Sequence, residues 1–82
     1  MALQTIENQE QVKQIAAYFS QKRIKKIVIR RDVRDNYEID FYTGRDTAST
    51  LMLFEYDRIY LAQNFGLKLW HLSKINPPKR KK

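Results

Sequence analysis

Residues 24–31, which read IKKIVIRR, and residues 37–43, which read YEIDFYT, decide the fold of this chain. The first stretch contains an uninterrupted β-branched run over residues 27–29, and β-branched side chains favour strands. In the second stretch apolar and polar side chains alternate with a period of two, as in a strand with one buried face. We therefore predict that the two stretches form a β-hairpin.

The apolar pattern also predicts the register of this hairpin. A three-residue loop over residues 33–35 pairs Ile27 with Phe41, Ile29 with Ile39 and Arg31 with Tyr37 on one face, and Lys26 with Tyr42, Val28 with Asp40 and Arg30 with Glu38 on the other. A slip of one residue would invert every side chain and place isoleucines opposite acids, so the pattern selects the first register. We expect a helix to cover the face that carries the isoleucines.

A helix is predicted before the hairpin, over residues 8–21. Asn8 is a favourable N-cap, and the apolar side chains that follow it recur with the 3.6-residue period of a helix. The stretch before the cap, residues 3–6, also suits a short additional edge strand.

Two interpretations remain open for the region after the hairpin. The apolar run over residues 51–54 fits either a central strand or a buried helical turn, and Gly66 marks a helix end. We favour a strand over residues 50–56 and a helix over residues 57–65. The alternative is one long helix from Ser49. Residues 67–72 alternate again and are predicted to form a last strand.

These elements predict a small α+β domain in which a mainly antiparallel sheet of three or four strands packs against two helices. The 82 residues suit one compact domain over residues 1–76, followed by a basic disordered tail over residues 77–82. The order helix, strand, strand, strand, helix resembles that of double-stranded-RNA-binding domains. The resemblance lies in element order alone, and it implies RNA as one candidate ligand.

The composition excludes several classes of protein. A hydrophobic content of 43% is too high for a disordered chain, and the absence of cysteine excludes disulfides and thiolate metal sites. No apolar run reaches transmembrane length, and the first residues do not resemble a signal peptide. We therefore expect a cytoplasmic protein that does not bind membranes.

Positive charge is concentrated in two clusters. One lies within residues 22–34 and the other is the terminal run over residues 79–82. The chain has 16 cations and 9 acids, a net charge of +7, and without the four terminal cations the balance is 12 against 9, or +3. Because the remaining charge is modest, the expectation of a polyanionic partner depends on clustering and not on the total.

The predicted register separates the cations into compensated and uncompensated groups. Glu38 and Asp40 lie beside Arg30 and Lys26, so these acids offset part of the cluster. Tyr42 faces outward beside Lys26 and is the aromatic residue best placed to stack on a base. The candidate nucleic-acid contacts are Lys22, Arg23, Lys25, Lys26, Arg34, Tyr42, Arg45, Lys79, Arg80, Lys81 and Lys82.

No residue pattern predicts catalysis, a metal ion or another cofactor. The single histidine, His71, has no neighbouring residue that would orient it as a general base. The acid pair Asp32 and Asp35 suits a hairpin turn, and cross-strand ion pairs account for Glu38 and Asp40. We therefore expect a protein that is not an enzyme.

The function predicted from these features is non-catalytic binding of nucleic acid through the phosphate backbone. The alternative is a protein-binding inhibitor or adaptor, for example a mobile-element protein that blocks a host nuclease or polymerase. Such a module would take an acidic protein partner. The apolar surplus in residues 51–61 suits a protein interface of this kind, and it equally suits a homodimer.

Overall fold

The computed structural model describes residues 2–34 and 36–67, which form a four-stranded sheet with two helices on one face. The elements are β1 (Ala2–Ile6), α1 (Gln9–Tyr18), β2 (Lys26–Arg31), β3 (Tyr37–Tyr42), β4 (Thr47–Leu53) and α2 (Glu55–Phe65). Neighbouring strands are antiparallel, and the strand order is β1-β2-β3-β4. The predicted α+β class is confirmed. The predicted last strand, apart from Leu67, and the basic tail lie outside the described residues.

The β2–β3 hairpin has the predicted register. All six predicted pairs are present, from Lys26 opposite Tyr42 to Arg31 opposite Tyr37. The backbone N–H of Asp32 donates to the carbonyl of Asn36 at 2.9 Å and closes the predicted loop. Oδ1 of Asp32 accepts the N–H groups of Asn36 and Arg34, and these hydrogen bonds lower the pKa of Asp32.

The hydrophobic core lies between the sheet and the two helices. The isoleucines and the phenylalanine of the hairpin are fully buried, as predicted, and they pack against Val12 and Ile15 of α1 and Leu61 of α2. Full burial of one such aliphatic side chain is worth about 1.5–3 kcal/mol. Because residues from both helices belong to this single cluster, α1 and α2 cover the same face of the sheet.

Helix α1 begins where it was predicted to begin and ends earlier. Oδ1 of Asn8 accepts the N–H of Gln11 at 3.1 Å, which is the predicted N-cap contact. The predicted end at residue 21 is wrong because the chain leaves the helix after Tyr18. Ser20 has a φ of 60°, in the left-handed region, and a second such residue follows at Arg23 with a φ of 61°.

A strand followed by a helix is present after the hairpin, so the alternative of one long helix is wrong. The strand spans Thr47–Leu53 and not the predicted residues 50–56, because α2 starts at Glu55. Helix α2 begins at Glu55, two residues before the predicted start, because Oδ2 of Asp57 accepts the N–H of Phe54 at 2.9 Å and caps the first turn. Gly66 ends α2 with a φ of 70°.

The additional edge strand predicted over residues 3–6 is present as β1. In the part of the chain that the structure describes, neither helix has the length and apolar character needed to cross a bilayer.

Candidate nucleic-acid interface

Five of the predicted phosphate contacts lie at one end of the sheet. At this end β2 begins, β3 ends and β4 begins, because Lys26 pairs with Tyr42 and Tyr42 pairs with Thr47. The link between α1 and β2 and the link between β3 and β4 both meet this end. We call the following set the basic end: Lys22, Arg23, Lys25, Lys26 and Arg45, with Tyr42.

Three hydrogen bonds hold the α1–β2 link against the sheet. The N–H of Lys25 donates to the carbonyl of Tyr42 at 2.7 Å and extends the β2–β3 ladder by one contact. The side chain of Gln9 donates to the carbonyl of Lys25 at 3.0 Å. The hydroxyl of Ser49 in β4 donates to Oε1 of Gln21 at 2.7 Å. The backbone that carries the first four cations is therefore tied to β3, β4 and α1.

Lys26 and Tyr42 form a contact of their own on the sheet face opposite the helices. Nζ of Lys26 lies 4.5 Å from the centroid of the Tyr42 ring, within the range of a cation–π interaction. Both side chains are half-buried. The ammonium group lies over the face of the Tyr42 ring, and this contact positions Lys26 at the basic end. Lys26 therefore contacts Tyr42, and not the acids that the sequence placed near it.

The cations of the basic end are free of carboxylate partners among residues 2–34 and 36–67. Lys22, Arg23, Lys25 and Arg45 are exposed, and no described Asp or Glu lies within 4.0 Å of their charged nitrogens. Three acids lie in the segments that meet the basic end: Glu7 and Glu10 follow β1, which ends opposite Ile27, and Asp46 is next to Arg45. Five cations against three acids leave a local surplus of +2, and all eight of these charges are accessible or half-accessible to a ligand.

Arg30 has no role in this surplus because two acids engage it. Its guanidinium donates to Asp40 at 2.6 Å and to Glu38 at 2.9 Å, as the register predicted. Burial opposes ionisation of Asp40, but the hydrogen bonds from Arg30 and Thr50 outweigh it and lower the pKa of Asp40. The hydrogen bond to Asp40 in turn raises the pKa of Arg30. This network engages both oxygens of Asp40 and Oε1 of Glu38.

Arg34 lies apart from the other candidate contacts. It follows β2 in the β2–β3 loop, whereas the basic end lies where β2 begins. Five residue steps along β2 at about 3.3 Å each separate the two ends by roughly 17 Å. The structure therefore does not place Arg34 in one surface with Lys22, Arg23 and Lys25. The tail candidates Lys79, Arg80, Lys81 and Lys82 lie outside the described residues.

Gln21 and Ser49 are positioning residues that the sequence did not reveal. The sequence pattern placed Gln21 at the end of the predicted first helix, and Ser49 at the start of the alternative long helix. Their hydrogen bond spans 28 residues of sequence and joins the α1–β2 link to β4. No periodicity or motif encodes such a contact, because it depends on the left-handed turn at Ser20 that redirects the chain.

No family model, curated protein or solved structure matches this chain. Among the described residues there is likewise no group of three or more histidines, cysteines and acids that could hold a metal ion.

Proposed function

We propose that this protein binds nucleic acid without catalysis and that the basic end contacts the phosphate backbone. The observation that carries the proposal is the gathering of five cations at one end of the sheet, none with a described carboxylate partner. Salt-bridged cations would have to lose a carboxylate before they could bind phosphate, whereas these have no described carboxylate to lose.

The arrangement favours contacts to the backbone over contacts to base edges. Lysine and arginine side chains on links and strand ends reach phosphates, which carry no sequence information. Neither α1 nor α2 carries the cations of the basic end, so neither of the two described helices is a recognition helix lined with them. We expect weak discrimination between sequences and a steep dependence on salt.

Matched double variants test the proposal in a filter-binding titration at 50 mM salt. Lys22→Ala with Lys25→Ala removes two cations from the basic end. Lys13→Ala with Arg34→Ala removes two exposed cations that lie on α1 and in the β2–β3 loop, with the same change in net charge. We expect the first pair to weaken binding roughly tenfold for single- and double-stranded probes of several sequences, and the second pair to weaken it less than threefold.

Two outcomes would contradict the proposal. Equal losses for both double variants would show that affinity follows total charge and not the basic end. No measurable affinity of the unaltered protein at 50 mM salt would remove nucleic acid as a ligand.

Affinity capture followed by mass spectrometry, with and without nuclease, addresses the protein-binding alternative. A protein retained after nuclease treatment would favour an acidic protein partner over nucleic acid.

A further inference from the structure

The outer edge of β4 has the features of a strand that pairs with another chain. In the sheet formed by the described residues β4 has one neighbour, β3, and lies at the edge. Its sequence, TASTLML, contains no charge, no proline and no glycine. Exposed edge strands usually carry lysine, proline or a bulge that prevents pairing. The one irregularity in the β3–β4 ladder lies at the start of β4, which leaves residues 49–53 regular.

Apolar side chains are exposed along and beside this edge. Leu51 is 37% exposed, Met52 51%, Phe54 55% and Tyr56 65%. The rings of Phe54 and Tyr56 lie 5.7 Å apart and nearly parallel. Together with Tyr18 of α1 these four side chains line a shallow concave surface beside the strand. An apolar surface of this kind on a chain with 30% charged residues indicates an interface.

We propose that β4 pairs antiparallel with β4 of a second copy of this chain, so that two sheets join into one of eight strands. A two-fold axis through Leu51 places this residue opposite Leu51 of the second copy, and Met52 opposite Thr50. Because such an axis pairs residues of equal parity, the helix-covered faces of both copies lie on the same side. The exposed leucines then meet across the axis beside the concave surfaces.

The charge distribution favours a second copy as the occupant of this edge. Antiparallel pairing places the two basic ends at opposite ends of the joined sheet, because β4 begins at the basic end and runs away from it. Thr47 lies four residues from the axis, so the two starts of β4 are eight steps of about 3.3 Å apart, or roughly 26 Å, well beyond the Debye length of about 8 Å at physiological salt. Two copies of a positively charged chain can therefore associate here with little repulsion.

The buried area is sufficient for a weak dimer. With about 200 Å² for each large side chain, the exposed fractions of the five residues sum to about 490 Å² per copy. Full coverage in two copies buries about 980 Å² of side chain, to which the paired backbones add. With the backbone included, the total passes the roughly 1,000 Å² that a specific interface requires.

Cysteine crosslinking tests this register directly, since the chain has no native cysteine. Directly opposed residues in an antiparallel pair have Cα atoms about 4.5–5.5 Å apart, within the range of a disulfide. We expect Leu51→Cys to form a disulfide-linked dimer under mild oxidation at micromolar concentration. Gln4→Cys, exposed on the opposite edge strand β1, is the matched control, and we expect it to crosslink at least tenfold more slowly.

Sedimentation equilibrium measures the association without crosslinking. We expect the unaltered protein to approach twice its 9.9 kDa mass as concentration rises. Leu51→Lys opposes two like charges at the axis, and it should give a monomer with an unchanged circular dichroism spectrum. Met52→Lys, at a more exposed position, serves if the first variant fails to fold. An unaltered protein that stays monomeric at millimolar concentration, or equal crosslinking rates for the two cysteine variants, would overturn the proposal.

Discussion

The hydroxyl of Tyr18 in α1 donates a 2.9 Å hydrogen bond to Oδ1 of Asp57 in α2. The other oxygen of the same carboxylate accepts the N–H of Phe54, so one buried side chain caps α2 and joins the two helices. The ring of Tyr18 also stacks on Tyr60, with centroids 3.9 Å apart and planes 7° from parallel. The contact between the helices thus combines one directed hydrogen bond with one aromatic pair.

Removal of this hydroxyl should destabilise the domain. Tyr18→Phe keeps the stacked ring but leaves Asp57 with one hydrogen bond fewer, and a bond to a charged acceptor is worth about 1.5–3 kcal/mol. We expect a loss of about 1–2 kcal/mol in urea unfolding, since the contact is part-buried. Tyr60→Phe, which also keeps its ring, is the control. A loss no larger than that of the control would contradict the role of the hydrogen bond.

The same tyrosine should produce a decline in stability at alkaline pH. Partial burial, followed by the hydrogen bond to Asp57, raises the pKa of Tyr18 to about 12, above the value of about 10 in the unfolded chain. A raised pKa means that the folded state holds the proton more tightly, so stability is complete below pH 10 and falls as pH rises towards 12. Urea midpoints between pH 9 and 11.5 should fall less steeply in Tyr18→Phe. Identical profiles would argue against this assignment.

Asp40 should control stability at acid pH. Its pKa is lowered in the folded state, so its contribution is complete above about pH 4 and is lost as pH falls through the folded value. Asp40→Asn should cost about 2–3 kcal/mol at pH 7, since it weakens the hydrogen bonds between a buried carboxylate and the half-buried Arg30. The stability of this variant should also decline less as the pH falls. Asp46→Asn, at an exposed carboxylate, is the comparison. If the stability of the variant fell with pH as steeply as that of the unaltered protein, groups other than Asp40 would determine the loss of stability at acid pH.

The two glycines provide a matched pair for backbone strain. Gly66 has a φ of 70°, Gly44 does not have a positive φ, and a Cβ at either position meets no atom within 4 Å. Gly66→Ala should therefore cost about 1–2 kcal/mol from the left-handed backbone alone, and Gly44→Ala should cost close to nothing. Thermal unfolding of the two variants measures the difference. Equal melting temperatures would mean that α2 can end without the left-handed residue.

The salt dependence of binding should count the phosphate contacts at the basic end. The slope of log Kobs against log salt concentration is negative, and its magnitude decreases by about 0.9 for each phosphate contact that is lost with double-stranded DNA. Lys22→Ala with Lys25→Ala should therefore reduce the slope by roughly 2, whereas Lys13→Ala with Arg34→Ala should change it by less than about 0.5. A slope unchanged in the first variant would show that these lysines do not touch phosphates, whatever their effect on affinity.

The features predictable from sequence are those set by short-range patterns. A period of two can satisfy only one register when isoleucines must share a face, which is why the pairing of Ile29 with Ile39 could be predicted. Asn8 and Gly66 act on backbone groups within four residues of themselves. The end of α1 could not be predicted in this way, because Ser20 adopts a left-handed conformation that glycine would normally signal.

The candidate site was predictable only where its residues adjoin in sequence. Lys22 to Lys26 share one short segment, and Arg45 joins them because β3 returns the chain to the same end. Arg34 was grouped with them by sequence proximity, although a hairpin loop lies at the far end of its strands. The sequence alone could not predict that Lys26 contacts Tyr42, because a lysine in this register has an acid and a ring equally within reach of its long side chain.

The strand order β1-β2-β3-β4 has a kinetic consequence. Each strand after β1 pairs with the strand that precedes it in the chain, so the β2–β3 and β3–β4 pairings close short loops, whereas the β1–β2 pairing spans residues 7–25 with α1. Chains whose contacts are close in sequence cross lower entropic barriers during folding. This domain should therefore fold on the order of milliseconds. Fast folding shortens the time during which the uncharged fourth strand is exposed and could aggregate with another unfolded chain.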